Sequence, residues 1–248
     1  MHEGGSPAKP PLVLIHGSGG DHLSWPPEIR RLLGSRIYAV DLPGHGKSLG
    51  PGLQSVPDLA DKMVSFMDAA GLSRAVFIGH ELGGMIALDL AIDHPDRVAG
   101  IGLISSGASM PIASSVLENI SNPATFLKGV DSLLEKMRFP QSAIPLKETT
   151  FKQFLSIRPT LLNGDLRACD QFDVTPRLKD IRVPVLVLCG MDDRLTPLRY
   201  SENLAGQIPG AALQTIEGAG HMVMLEQPRR VAGVLGVFLM SIPYTPGM

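Results

Sequence analysis

Ala75-Val76-Phe77-Ile78-Gly79-His80-Glu81-Leu82-Gly83-Gly84 is the stretch on which the reading of this chain turns. Its first residues are apolar and suit a buried strand. A turn flanked by glycines follows, and then a run that suits a helix. Small residues two places before and two places after position 81 let strand and helix close tightly around the turn. Gly79 and Gly83 hold those places around position 81. The residue at 81 is a glutamate.

Four further stretches belong with this one. Pro11-Leu12-Val13-Leu14-Ile15-His16-Gly17-Ser18-Gly19-Gly20 reads as a buried strand running into a glycine-rich loop. Asp41-Leu42-Pro43-Gly44-His45-Gly46-Lys47-Ser48 follows a second apolar strand. Leu188 to Pro197 sets Asp192 and Asp193 just past a third, and Gly218-Ala219-Gly220-His221-Met222 sets a histidine after a fourth. In this order the five stretches resemble the α/β-hydrolase fold over nearly the whole chain. In that fold the nucleophile, the acid and the histidine follow one another along the sequence. The segment around Glu81 resembles the nucleophile elbow, G-x-S-x-G, with glutamate where the motif carries serine. The resemblance implies a mostly parallel sheet flanked by helices, with a small helical cap.

Size and composition agree. At 248 residues the chain suffices for one large α/β domain with an excursion. Its 22 basic and 24 acidic residues leave a net charge of −2 with no charged block, which gives no reason to expect a nucleic-acid or anionic-membrane partner. The apolar runs are far shorter than the roughly twenty residues of a membrane span. The start, Met1-His2-Glu3-Gly4-Gly5-Ser6-Pro7, lacks the basic and apolar regions of a signal peptide. Cys169 and Cys189 are the two cysteines; two reduced thiols in a cytoplasmic protein are expected rather than a disulfide. The expected partner is a small-molecule substrate, with no cofactor and no metal; the oligomeric state is left open.

Short β-branched runs alternate with helix-length amphipathic segments, the pattern of βαβ units and a parallel sheet. Strands are expected at about 12–15, 36–40, 75–79, 98–104, 184–189 and 212–216, and helices at about 57–70, 82–93, 197–207 and 226–240. Only eleven residues precede Leu12, so the leading hairpin usual in the family is expected to be missing or reduced. Between 107 and 179 the alternation breaks, prolines recur, and apolar residues take helical spacing. This segment is expected to be the cap, with 1–106 and 180–248 forming the core. Met110, Phe126, Leu127, Met137, Phe139, Phe151, Phe154 and Leu155 line an acyl pocket or pack the interior of the cap.

The resemblance makes His221 the general base, on a loop that glycines at 218 and 220 leave free to aim it. The base needs an acid to fix its tautomer. In similar hydrolases the acid stands three residues after a glycine and four before a proline. Asp193 meets both counts from Gly190 and to Pro197, and Asp192 does not. The alternative acid position used by some family members, after strand 98–104, offers only Ser105 and Ser106. The oxyanion hole falls to the backbone N–H groups of Leu82 and Ser18, with Gly19 the nearest rival to Ser18. Trp25 either walls the pocket or packs the core. Asp41, Gly44 and Gly46 read as a structural turn. Neither glycine-rich loop has a phosphate-binding arrangement.

Glu81 allows three readings. It is a substitution in a serine esterase or lactonase scaffold, which impairs activity; or a working carboxylate nucleophile, as haloalkane dehalogenases and epoxide hydrolases employ with aspartate; or the mark of a non-catalytic small-molecule binder. The second lacks the supports of those families. Leu82 stands where dehalogenases resemble one another in a tryptophan, and Tyr38, Tyr200 and Tyr244 all lie outside the cap. The first reading leads. With Glu81 present, His221 is expected to lie between two carboxylates, which favours its protonated form.

Overall fold

A computed structural model describes residues 9–32, 34 and 36–243. Its sheet holds strands β1 (Leu12–Ile15), β2 (Ile37–Val40), β3 (Ala75–His80), β4 (Val98–Ile104), β5 (Val185–Gly190) and β6 (Ala212–Ile216). They lie in the order β2-β1-β3-β4-β5-β6, and every pairing is parallel. No described residue before Leu12 forms a strand. Because β1 pairs with β2 on one side and β3 on the other, the chain changes direction there. The loops leaving the carboxyl ends of β1 and β3 therefore diverge around a crevice, the usual ligand position in such sheets. Ile15 and Gly79 are partners in register, so the loops beginning at His16 and His80 rise side by side.

The helices before β4 are α1 (Pro27–Arg30), α2 (Val56–Ala69) and α3 (Leu82–Asp93). Between β4 and β5 come α4 (Ser114–Ser121), α5 (Phe126–Met137), α6 (Ile144–Ser156) and α7 (Pro159–Gln171). The chain ends with α8 (Leu198–Gln207), α9 (Val223–Glu226) and α10 (Pro228–Ser241). Alternate strand residues point to opposite faces. Val13, Ile15 and Phe77 pack against Met63 and Met67 of α2 and Met85 of α3. Leu12, Leu14, Val76 and Ile78 pack against Trp25, Ile29 of α1 and Leu235 of α10. Two-sided burial explains why the strands read as continuous apolar runs rather than alternating ones. Trp25 belongs to this second face and does not line the crevice.

Helices α4–α7 build a third apolar cluster around Ile120, Val130, Leu133, Leu134, Phe154 and Leu162. Phe126 and Met137 join it, with Phe139 and Phe151 at its margin, whereas Met110 packs into the cluster on the α2–α3 face of the sheet. Leu127 and Leu155 depart from expectation. They are 56% and 43% exposed, because each lies on the outer side of its helix, away from this cluster.

Candidate active site

The elbow is as tight as the glycines imply. A Cβ on Gly79 would collide with the Gly83 carbonyl, and one on Gly83 with the Ile15 carbonyl. Glu81, at the apex, has φ 50° and ψ −109°. A side-chain-bearing residue in such a region carries strain of about 1–3 kcal/mol. The surroundings hold it there: Glu81 N–H donates to the Ile104 carbonyl at 3.0 Å, and Ser106 Oγ donates to the Glu81 carbonyl at 2.7 Å.

The Glu81 side chain does not reach for the histidine. Its Oε2 accepts from Ser18 N–H at 2.7 Å, from Leu82 N–H at 2.8 Å and from Ser18 Oγ at 2.8 Å. Ser18 Oγ also lies 3.1 Å from Oε1, and the Cys169 thiol on α7 donates to Oε1 at 3.6 Å. The two backbone donors expected to stabilise an oxyanion thus converge on one carboxylate oxygen. Gly19, the rival donor, turns elsewhere and donates to Asp165 Oδ2 at 2.8 Å.

His221 and Asp193 are brought together. Nδ1 of the imidazole lies 2.9 Å from Asp193 Oδ2, with both side chains at most 1% exposed. Asp193 has further donors in Thr196 Oγ1 at 2.7 Å and the N–H groups of Leu195 and Thr196 at 2.8 and 2.9 Å. Asp192 is exposed. A carboxylate on Nδ1 selects the tautomer that leaves Nε2 as the free base, and His221 faces the crevice cavity. Burial alone would lower the His221 pKa, but the charge and hydrogen bond of Asp193, then Glu81 and Glu226, outweigh it and the net shift is upward. Glu81 therefore acts on His221 through its charge without a hydrogen bond between them. Burial pushes Asp193 up, yet His221 and the Thr196 donors hold it below the usual carboxylate value. His80 donates from Nε2 to the His221 carbonyl at 3.1 Å; burial, then His221, bring its pKa down to about 3, so it is neutral.

Three neighbours of the site escape the sequence reading. Glu226 accepts from Gly220 N–H at 2.7 Å and Met222 N–H at 3.0 Å, straddling His221; burial lifts its pKa to about 7. Only its place five residues after the histidine hinted at this. Asp165 and Cys169 come from α7, far away in sequence, and no spacing rule points to them. The carboxyl end of α5 also takes part, since the Met137 carbonyl accepts from His221 N–H at 2.8 Å and the Lys136 carbonyl from Arg194 N–H at 3.1 Å.

Leu133, Met137, Phe154, Leu162 and Leu166 roof the crevice above Glu81 and His221. The remaining cavity is about 30 Å³, room for one or two waters. Among the described residues no group of three or more histidine, cysteine, aspartate or glutamate side chains is placed to hold a metal, and no helix is long and apolar enough to cross a membrane.

Residues 12–234 match a family described as the alpha/beta hydrolase family. The RutD protein of Caulobacter vibrioides, provisionally named a carbamate hydrolase, is 29% identical over 96% of this chain and 93% of its own. The structure of a thermophilic esterase superposes with a TM-score of 0.82, at 33% identity over 94% of this chain and 90% of the other. A third, Est816, described as an N-acyl homoserine lactone degrading enzyme, gives a TM-score of 0.82 at 28% identity, covering 94% of each chain.

Proposed function

Because the chain belongs to the alpha/beta hydrolase family, we propose that it is a scaffold for hydrolysing small carboxylic esters or lactones, held inactive by Glu81. The elbow position, His221 and Asp193 are its nucleophile, base and acid, and Ser18 and Leu82 its oxyanion donors. Residues 107–179 act as a cap over a core of 1–106 and 180–248. The two cysteines, both buried and free, fit a reducing compartment such as the cytoplasm. Esters, lactones and carbamates, the substrates in the names of its relatives, share a carbonyl carbon bearing a heteroatom leaving group. One acyl-transfer site suits all three.

The observation that carries the reading is the position of the Glu81 carboxylate, 2.7 and 2.8 Å from the Ser18 and Leu82 N–H groups. These are the distances an oxyanion hole offers to developing negative charge. The Leu82 N–H is also the first unpaired donor of α3, which Glu81 caps, but the Ser18 N–H comes from the separate β1 loop, and the convergent pair suits the tetrahedral intermediate of acyl transfer. A carboxylate already seated there blocks the hole. It also favours the charged form of His221, which cannot accept a proton. The carboxylate-nucleophile alternative would leave attack to Oε1, which only the Ser18 hydroxyl at 3.1 Å and the Cys169 thiol at 3.6 Å contact; what it lacks is leaving-group help, with Leu82 after the elbow and Tyr38, Tyr200 and Tyr244 all outside 107–179. Glu81→Ser empties the hole and supplies a nucleophile beside His221. Turnover of p-nitrophenyl acetate and butyrate is expected for the serine variant and not for the native chain. A serine variant no faster than the native chain refutes the proposal.

A further inference from the structure

The Ser18 N–H that points into the hole lies between two tethered groups. The carbonyl of its own peptide unit, Gly17 O, accepts from His16 Nδ1 at 2.8 Å and from Gly20 N–H at 2.9 Å. His16 serves as donor there because its Nε2 accepts from Leu42 N–H at 3.0 Å; burial, then the neighbouring His45, bring its pKa down to about 3. The next peptide unit is held by its N–H, which donates from Gly19 to Asp165 Oδ2 at 2.8 Å. The first tether is local to the β1 loop. The second crosses from α7, and nothing in the chemistry of the nucleophile, base and acid calls for it.

Asp165 is itself held. The same Oδ2 accepts from His45 Nε2 at 2.9 Å, with both side chains 2% exposed. His45 Nδ1 faces the Pro43 carbonyl at 3.2 Å. Both imidazole nitrogens thus face acceptors, an arrangement that fits a doubly protonated ring. Burial would depress the His45 pKa, but the bond and charge of Asp165 outweigh it and raise it. Burial also pushes the Asp165 pKa up, against the hydrogen bond and charge of His45, and a buried pair of this kind is rarely the most stable filling for such a space. Here it joins three separate pieces of chain: the turn after β2, helix α7 and the loop after β1.

We propose that Asp165, clamped by His45, is a positioning residue that fixes the Ser18–Gly19 peptide and so aims the Ser18 N–H into the oxyanion hole. The role rests on the hydrolytic reading only in what the hole is for; the aiming itself is a property of the native chain. Gly19 needs such a tether because its φ of 65° lies where glycine is as free as anywhere. Among the described residues its only other side-chain hydrogen bond is the longer one from Gln153 Nε2 to the Gly19 carbonyl, 3.3 Å.

The test has two arms. In the native chain, amide hydrogen exchange of Ser18 and Gly19 is followed by NMR in Asp165→Asn and His45→Gln. Exchange at both amides is expected to rise about tenfold or more, while the Leu82 amide, which reaches Glu81 from the elbow side, stays within about twofold. Should Asp165→Asn not fold, His45→Gln gives the same reading. In the Glu81→Ser background, Asp165→Asn is expected to lower kcat about tenfold to a hundredfold, the range for a displaced oxyanion donor, with KM nearly unchanged. Unchanged Ser18 exchange overturns the proposal. So does an equal rise at Leu82 and the core amides, which marks Asp165 as mere packing. A serine variant inactive with Asp165 intact counts against the hydrolytic reading, and the exchange arm still decides the positioning role.

Discussion

Glu81→Ser is expected to gain activity and lose stability, and the loss tests how the glutamate is held. In the native chain two backbone N–H groups donate to Oε2 at 2.7 and 2.8 Å from a residue that is 3% exposed. Hydrogen bonds to a charged group contribute about 1.5–3 kcal/mol each, so the two together set a ceiling of about 3–6 kcal/mol. The serine Oγ is too short to fold back onto these donors. Water entering the enlarged cavity restores part of the bonding, at up to about 2 kcal/mol of immobilisation per molecule. The backbone strain at φ 50° is common to both side chains and cancels. The net expectation is a loss of about 2–4 kcal/mol, which for a chain of this length lowers Tm by roughly 5–15 °C. Scanning calorimetry and urea titration measure it. A glutamate turned into the cavity, away from these donors, is a buried and poorly partnered charge, and its replacement is neutral or stabilising. A serine variant as stable as the native chain therefore refutes the seating of Glu81 in the hole.

Two further outcomes follow from the buried pair. In the serine background Asp193→Asn is expected to cut kcat by about 10⁴, because the wrong imidazole tautomer is then favoured; the exposed Asp192→Asn leaves it near the parent, and steady-state kinetics showing the reverse ranking reassigns the acid. The pair also gives stability a pH window: the raised His221 contributes fully below its ordinary value of 6.5 and loses this as pH rises through its folded value. The lowered Asp193 contributes above 3.8 and loses this as pH falls through its folded value. The difference in Tm between the native chain and His221→Gln is thus expected to peak near about pH 5, and melts showing it widest at pH 9 contradict the ion pair.

The sheet was legible because its inner strands are buried on both faces and declare themselves as apolar runs, and every strand lies within a residue or two of where it was expected. Asp193 and His221 were legible for a different reason. Each follows a strand directly, so the strand end places it at the crevice without any knowledge of the rest of the chain. Asp165 and Cys169 were not. They reach the site through the packing of α7 over the β1 loop, a tertiary arrangement with no local signature. The direction of the Glu81 side chain was equally hidden: sequence set it beside the histidine, whereas the donor geometry of Ser18 and Leu82 turns it the other way. Trp25 was undecided for want of any polar partner to place it, and the β1–α10 face took it.

The carboxyl end of α5 carries a consequence for how relatives of this chain diverge. Its last carbonyls, of Lys136 and Met137, hold the loops of Asp193 and His221 through Arg194 and His221 N–H. A Cβ on Gly220 would collide with the carbonyls of Met137 and Arg138. These contacts depend on the path of the backbone more than on the side chains, so an insertion or deletion at 136–138 disturbs them more than a substitution does, apart from Met137, whose side chain roofs the crevice. Recombining the four-helix segment between homologues then depends on this junction, three residues wide, as well as on the Asp165 contact from α7. A chimera built on sequence identity alone looks for its seam in the wrong place; the length of chain from α5 to α6 is the part that has to match.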